Sequence, residues 1–106
     1  MSYRMEAIED VVASIHRSQN GSATKDEDDR LFGMLLGLLG GQMRYFIQLY
    51  GMEGRNDEAR RICIGAIRAA IAEHRRSGGA FINHASIMLR QSLYGMTADG
   101  QRALAA

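Results

Sequence analysis

The chain contains no proline and no tryptophan, only one cysteine, and only one lysine among its thirteen basic residues. Average proline usage near 5% would give about five in a chain of this length, so the usual breaker of helices is missing. β-branched residues nowhere alternate over a strand-length window, which argues against a sheet. Cys63 stands alone, which excludes an internal disulfide and suits a reducing compartment. The apolar run Leu31 to Leu39 falls short of the ~20 residues needed to cross a bilayer and is bounded by Asp28-Asp29-Arg30 and Gln42-Met43-Arg44. Met1-Ser2-Tyr3-Arg4-Met5-Glu6 leads into an amphipathic pattern with no signal-peptide apolar core, so a cytoplasmic location is expected.

Chemical signatures are equally scarce. There is no Gly-x-Ser-x-Gly elbow and no phosphate loop. His16, Cys63, His74 and His84 have no paired metal spacing; Cys63 and His74 share a helix face but stand roughly 16 Å apart along it. Each histidine reads as satisfied or exposed on its own, and Cys63, among Ile62, Ile64 and Ile67, reads as a small core residue. The acidic run Asp26-Glu27-Asp28-Asp29 lacks the spaced ligands and glycine of a calcium loop. No catalytic, cofactor-binding or metal-ligating residue is assigned, no cofactor is expected, and an enzyme is not the reading these residues favour.

What is present is helical periodicity. The expected fold is all-α and single-domain over residues 1–106: a small bundle of four main helices plus a short C-terminal helix, dimeric through a long second helix. Helix one runs from about Tyr3 to Gln19, capped by Ser2, with Met5, Ile8, Val12 and Ile15 as a seam that Val11 widens and Asn20-Gly21 as the stop. Thr24 caps helix two, and Glu27 three residues on completes a capping-box pattern. This helix extends to Tyr50 with Gly51 as terminator, a span of roughly 39 Å. A chain of this size has a radius of gyration near 13 Å, so the helix either bends at Gly40-Gly41 or protrudes and requires a partner. Helix three begins at Asn56 or Asp57, one of which supplies the cap, and ends at Ser77-Gly78-Gly79. Helix four covers Phe81 to Tyr94, and Thr97 caps a last turn through Asp99, Arg102 and Leu104.

Helix two carries the strongest signal. Leu31, Leu35, Leu38, Leu39, Phe46 and Leu49 centre a broad apolar face that Phe32, Leu36, Met43, Ile47 and Tyr50 extend. Gly33, Gly37 and Gly41, each four residues apart, occupy the remaining arc with Arg30, Arg44 and Gln48. An interior glycine costs roughly 1 kcal/mol relative to alanine, so the stripe points to a second helix crossing closely over it, from this chain or another. Exposure to water is the competing reading.

Charge adds an asymmetry. Residues 1–53 carry five basic and eight acidic side chains, net −3, and residues 54–106 carry eight and four, net +4. The halves attract, within one chain or between two. Overall balance at +1 argues against a polyanion-binding protein, so nucleic acid is not the favoured partner. Arginine's planar fork suits contact surfaces, although Arg-rich codon usage produces the same bias. Arg61, Arg68 and Arg75 recur every seven residues. They read as a solvated face paired with Glu58 and Glu73, with phosphate contact as the alternative. Helices three and four resemble a helix-turn-helix in outline only, since neither Gly78 nor Gly79 places suitable residues around the turn.

In size, all-helical organisation and lack of chemistry, the chain resembles small bacterial antiactivators that bind LuxR-type quorum-sensing receptors and block their dimerisation or DNA binding. The resemblance covers overall character, and no contact residue is carried over with it. It implies an apolar helix that occupies the surface a transcription regulator needs for self-association. The expected anchors, for that partner or for a homodimer, are Phe32, Leu35, Leu36, Leu39, Met43 and Phe46. Gly33, Gly37 and Gly41 serve close packing, and Arg61, Arg68 and Arg75 are candidate polar contacts. A chaperone or assembly subunit of phage or secretion type is the alternative, and a nucleic-acid binder using the Arg stripe the third.

Overall fold

The computed structural model describes residues 3–21 and 24–105. Among these it contains six α-helices: α1 (Tyr3–Asn20), α2 (Lys25–Leu38), α3 (Gly40–Leu49), α4 (Asn56–Ser77), α5 (Phe81–Tyr94) and α6 (Ala98–Ala105), with a 3-10 turn at Glu53–Arg55 leading into α4. None of them is long and apolar enough to cross a membrane. The Ser2 cap lies outside the described residues. The most extensive helix pair is α4 with α5, followed by α1 with α2; α3 lies against α4 and α5, and α1 also touches α5. The radius of gyration is 14.6 Å, slightly above the ~13 Å of a near-spherical chain this size.

The local signals explain most helix ends. Thr24 Oγ1 accepts from the Glu27 N–H at 3.2 Å, as the capping box requires. At the far end of α3, Gly51 adopts φ +69°, its N–H donates to Gln48 and the Met52 N–H donates to Ile47. These two bonds close a Schellman motif, which places a left-handed residue at Gly51. For α4 the expected Asn or Asp side-chain cap does not form. The helix starts at Asn56 behind Arg55, whose guanidinium instead pairs with Glu58 one turn inside.

The single helix expected over residues 25–50 is two helices, so the count of four main helices is corrected to five. Leu39, at φ −93° and ψ 2°, separates α2 from α3. Adjacent Gly40 and Gly41 lower helix propensity there, and bending keeps the apolar surface within one chain. The break also re-aims α3: Met43, Phe46 and Ile47 turn inward, while Leu49, mid-face on a continuous helix, is 56% exposed.

The core draws on every long helix. α1 gives Ile8, Val11, Val12 and Ile15, leaving Met5 half exposed; α2 gives Leu31, Phe32 and Leu35; and Leu39 at the break is fully buried. α4 contributes small residues at Ala59, Cys63, Ala66 and Ala70 beside Ile67 and Ile71, and α5 contributes Phe81, Ala85, Leu89 and Leu93. Short side chains let neighbouring helices approach, so the tight packing lies on α4, where the alanines and Cys63 are. Glu9 of α1 ties the ends together. Its Oε1 accepts from the Phe81 N–H at 2.7 Å, bringing negative charge to the N-terminus of α5, where Ala80 has no capping side chain.

Candidate functional site

The glycine face of α2 is open. A Cβ built on Gly33 or on Gly37 would meet nothing within 4 Å, and both residues are exposed. Neither has a positive φ, so neither is required by backbone conformation. No described helix of the chain therefore crosses them. At Gly41 the nearest atom is the Arg4 guanidinium, 3.6 Å from the Cβ position, an ordinary side-chain contact. Of the two origins left open for a helix crossing the stripe, one from this chain is absent among the described residues, whose small-residue seam lies on α4 instead. Beside the glycines, Met34 is 47% exposed and takes a weak contact from Arg30, 3.6 Å from its sulfur, while Leu36 and Leu38 are half-buried.

Five of the six expected anchors face the other way. Phe32, Leu35, Leu39, Met43 and Phe46 are buried in the chain's own core, and only Leu36 reaches the surface in part. They fill the interior because the break at Leu39 lets one chain cover a face that a straight helix would leave bare. A second exposed apolar region lies where α1, α3 and α5 meet: a shallow groove lined by Met5, Ile8, Gln42, Tyr45 and Ile82, with Arg4 beside it.

The three arginines of α4 do not share one fate. The Arg68 guanidinium sits 3.9 Å above the centre of the Phe32 ring, joining α4 to α2 by a cation–π contact. The Arg75 Nε–H donates to His16 Nδ1 at 3.4 Å. Arg61 is exposed. The acids expected to pair with the stripe are engaged elsewhere: Glu58 with Arg55, and Glu73 with Arg76 and Ser77. Those hydrogen bonds hold both carboxyls below the usual carboxylate range. The stripe is thus divided between an aromatic clamp, an imidazole partner and solvent.

Three histidines that read as unrelated along the sequence converge. His16 Nε2 lies 2.9 Å from His74 Nδ1, with the ring planes within 6° of parallel and the ring centres 5.1 Å apart, and the His84 ring stands edge-on to His74 at 5.8 Å. His74 Nε2 is 3.0 Å from the Gly79 carbonyl, and His84 Nε2 is 2.7 Å from that of Gly78. Burial foremost, then Arg75 and His74, pushes the His16 imidazole below its ordinary pKa. Part of this was visible in sequence: His74 and His84 are spaced equally either side of Gly79, so a hairpin there brings them together. Nothing in the sequence announces His16, whose place depends on how α1 crosses α4.

Among the described residues, no group of three His, Cys, Asp or Glu side chains is arranged to hold a metal ion. Cys63 is fully buried and its thiol is pushed up to about 11 by desolvation, which keeps it protonated and inert near neutral pH. No protein-family model, no curated protein and no solved structure matches the chain.

Proposed function

We propose that this chain is a non-enzymatic protein–protein interaction module, a small regulatory antagonist that presents the outer face of α2 to a helix of a transcription regulator. The reading rests on one observation: Gly33 and Gly37 lie one turn apart over open space, with no role in packing among the described residues or in backbone geometry. Each costs roughly 1 kcal/mol of helix stability relative to alanine, and nothing inside the chain offsets it. Two such positions side by side form a shallow trough. A partner helix lying in it comes within backbone-contact range, with Met34 as an adaptable apolar flank and Leu36 and Leu38 at the edges. Antagonism follows if that helix is one the regulator uses to pair with itself. The contact is then reached through α2's outer face, not through the buried Leu35, Leu39, Met43 and Phe46.

The occupant can be identified directly. Tagged protein recovered from nuclease-treated lysate of its own host should carry one DNA-binding regulator in stoichiometric amount, and adding purified chain should dissociate that regulator's dimer. Recovery of an export or assembly client in its place would overturn the reading in favour of a chaperone. A partner released entirely by nuclease would overturn it in favour of nucleic acid.

A further inference from the structure

The histidine cluster forms a hydrogen-bonded chain whose direction is fixed at both ends. The Gly79 carbonyl can only accept, so His74 carries its proton on Nε2 and leaves Nδ1 as an acceptor. His16 must then donate to it from Nε2, which leaves His16 Nδ1 bare to receive the Arg75 Nε–H. Every donor meets an acceptor only when both imidazoles are neutral. An added proton has no good place. On His16 Nδ1 it sets N–H against N–H at Arg75; on His74 Nδ1 it turns the His16 ring to its other tautomer and creates the same clash.

We propose that His16, His74 and Arg75 form a pH-sensitive latch, holding the C-terminal half of α1 against α4 while both imidazoles are neutral and releasing it when the pair takes up a proton. The neighbouring charges favour this sense. Arg75 on α4 opposes a cation at His16, while its neighbour Arg76 is engaged by Glu73. Glu73 is also tied to Ser77 and interacts electrostatically with His84, and on α1 the Glu9 carboxylate is committed to the Phe81 N–H. His84 on α5 uses Nε2 on the Gly78 carbonyl and so stands outside the chain of bonds between His16, His74 and Arg75. Arg17, one residue beyond His16, is turned to Ser14.

Linkage sets the pH window. An unfolded or undocked α1 carries an ordinary histidine with a pKa near 6.5, whereas the docked His16 titrates lower. As pH falls through that ordinary value, the open state gains a proton that the closed state refuses. Stability and α1 docking are therefore full above the ordinary value and decline below it, until pH reaches the docked value.

Nitrogen-detected NMR of the histidine rings, with thermal melts and intrinsic-rate-corrected amide exchange at about pH 7.5 and about pH 5.5, tests this. The expected results are neutral Nε2–H tautomers for His16 and His74 at the higher pH, a lower melting midpoint at the lower pH, and loss of protection concentrated in residues 13–20. His16→Gln should flatten the pH dependence of the melt. Arg75→Gln should shift His16 titration upward and narrow the window, and it serves if the first variant does not fold. A charged or Nδ1–H His16 near neutrality, protection lost equally across all helices, or an unchanged pH slope in either variant would overturn the latch.

Discussion

Two helical glycine sites in this molecule meet opposite surroundings. On α2, Gly33 and Gly37 sit mid-helix under open solvent, where a side chain would touch nothing. At the α5–α6 corner, a Cβ on Gly100 would fall 1.9 Å from the Tyr94 carbonyl oxygen and 3.0 Å from the Gly95 Cα. That corner is tightly tied. The Thr97 hydroxyl donates to the Tyr94 carbonyl at 2.6 Å and accepts from the Gly100 N–H at 3.0 Å, and Gln101 Nε2 reaches the Gly95 carbonyl. The comparison teaches that spacing does not reveal whether a glycine is used. Gly33 and Gly37 have no packing role among the described residues, while a lone glycine in a short terminal helix is sterically obligatory. Gly65 of α4 is as open as Gly33 and Gly37, and what sets those two apart is that they lie one turn apart on one face.

Substitutions on the two faces of α2 and at the α5–α6 corner should separate these roles. The largest effect belongs to the inner face of the same helical segment. Leu39→Arg places an unpaired charge at a fully buried position and should cost more than about 4 kcal/mol, enough to unfold most of the population in a denaturant titration. Next is Gly100→Ala, expected to cost about 1–3 kcal/mol by overpacking and to expose α6 amides to exchange while α1 to α5 stay protected. The double change Gly33→Ala with Gly37→Ala should act in the opposite direction, raising stability by about 1–2 kcal/mol and the melting midpoint with it. Smallest is Arg68→Ala. Losing its contact with Phe32 should cost about 0.5–1 kcal/mol, and Arg61→Ala, lacking such a contact, should cost less.

Helix positions were largely legible before the structure because they are written in local chemistry: the Thr24 cap, the Gly51 terminator, the Gly78-Gly79 turn and the period of α4 and α5 each act within a few residues. The break at Leu39 was legible only as one of two alternatives. Propensity at Gly40-Gly41 permits a bend, but the choice depends on whether the rest of the chain can cover the apolar face. The candidate site was less readable. A helical wheel separates the glycine arc from the leucines correctly, yet it assigned the leucine side to a partner, since it cannot count how much of that face α1 covers on α2 and α4 and α5 cover on α3. Gly100, Glu9 and His16 were missed for a shared reason: each acts through a neighbour distant in sequence or around a corner, which no local period encodes.

The outer face of α2, idle among the described residues, is proposed to receive a partner helix. The most direct measurement compares the wild type with the Gly33→Ala and Gly37→Ala double variant in paired assays, thermal stability of the chain alone and affinity for the partner it captures. The account predicts opposite signs, with a higher melting midpoint and a weaker complex. A lower midpoint would mean the glycines serve the chain's own packing, and unchanged affinity would mean the face is not where the partner binds; either contradicts the account.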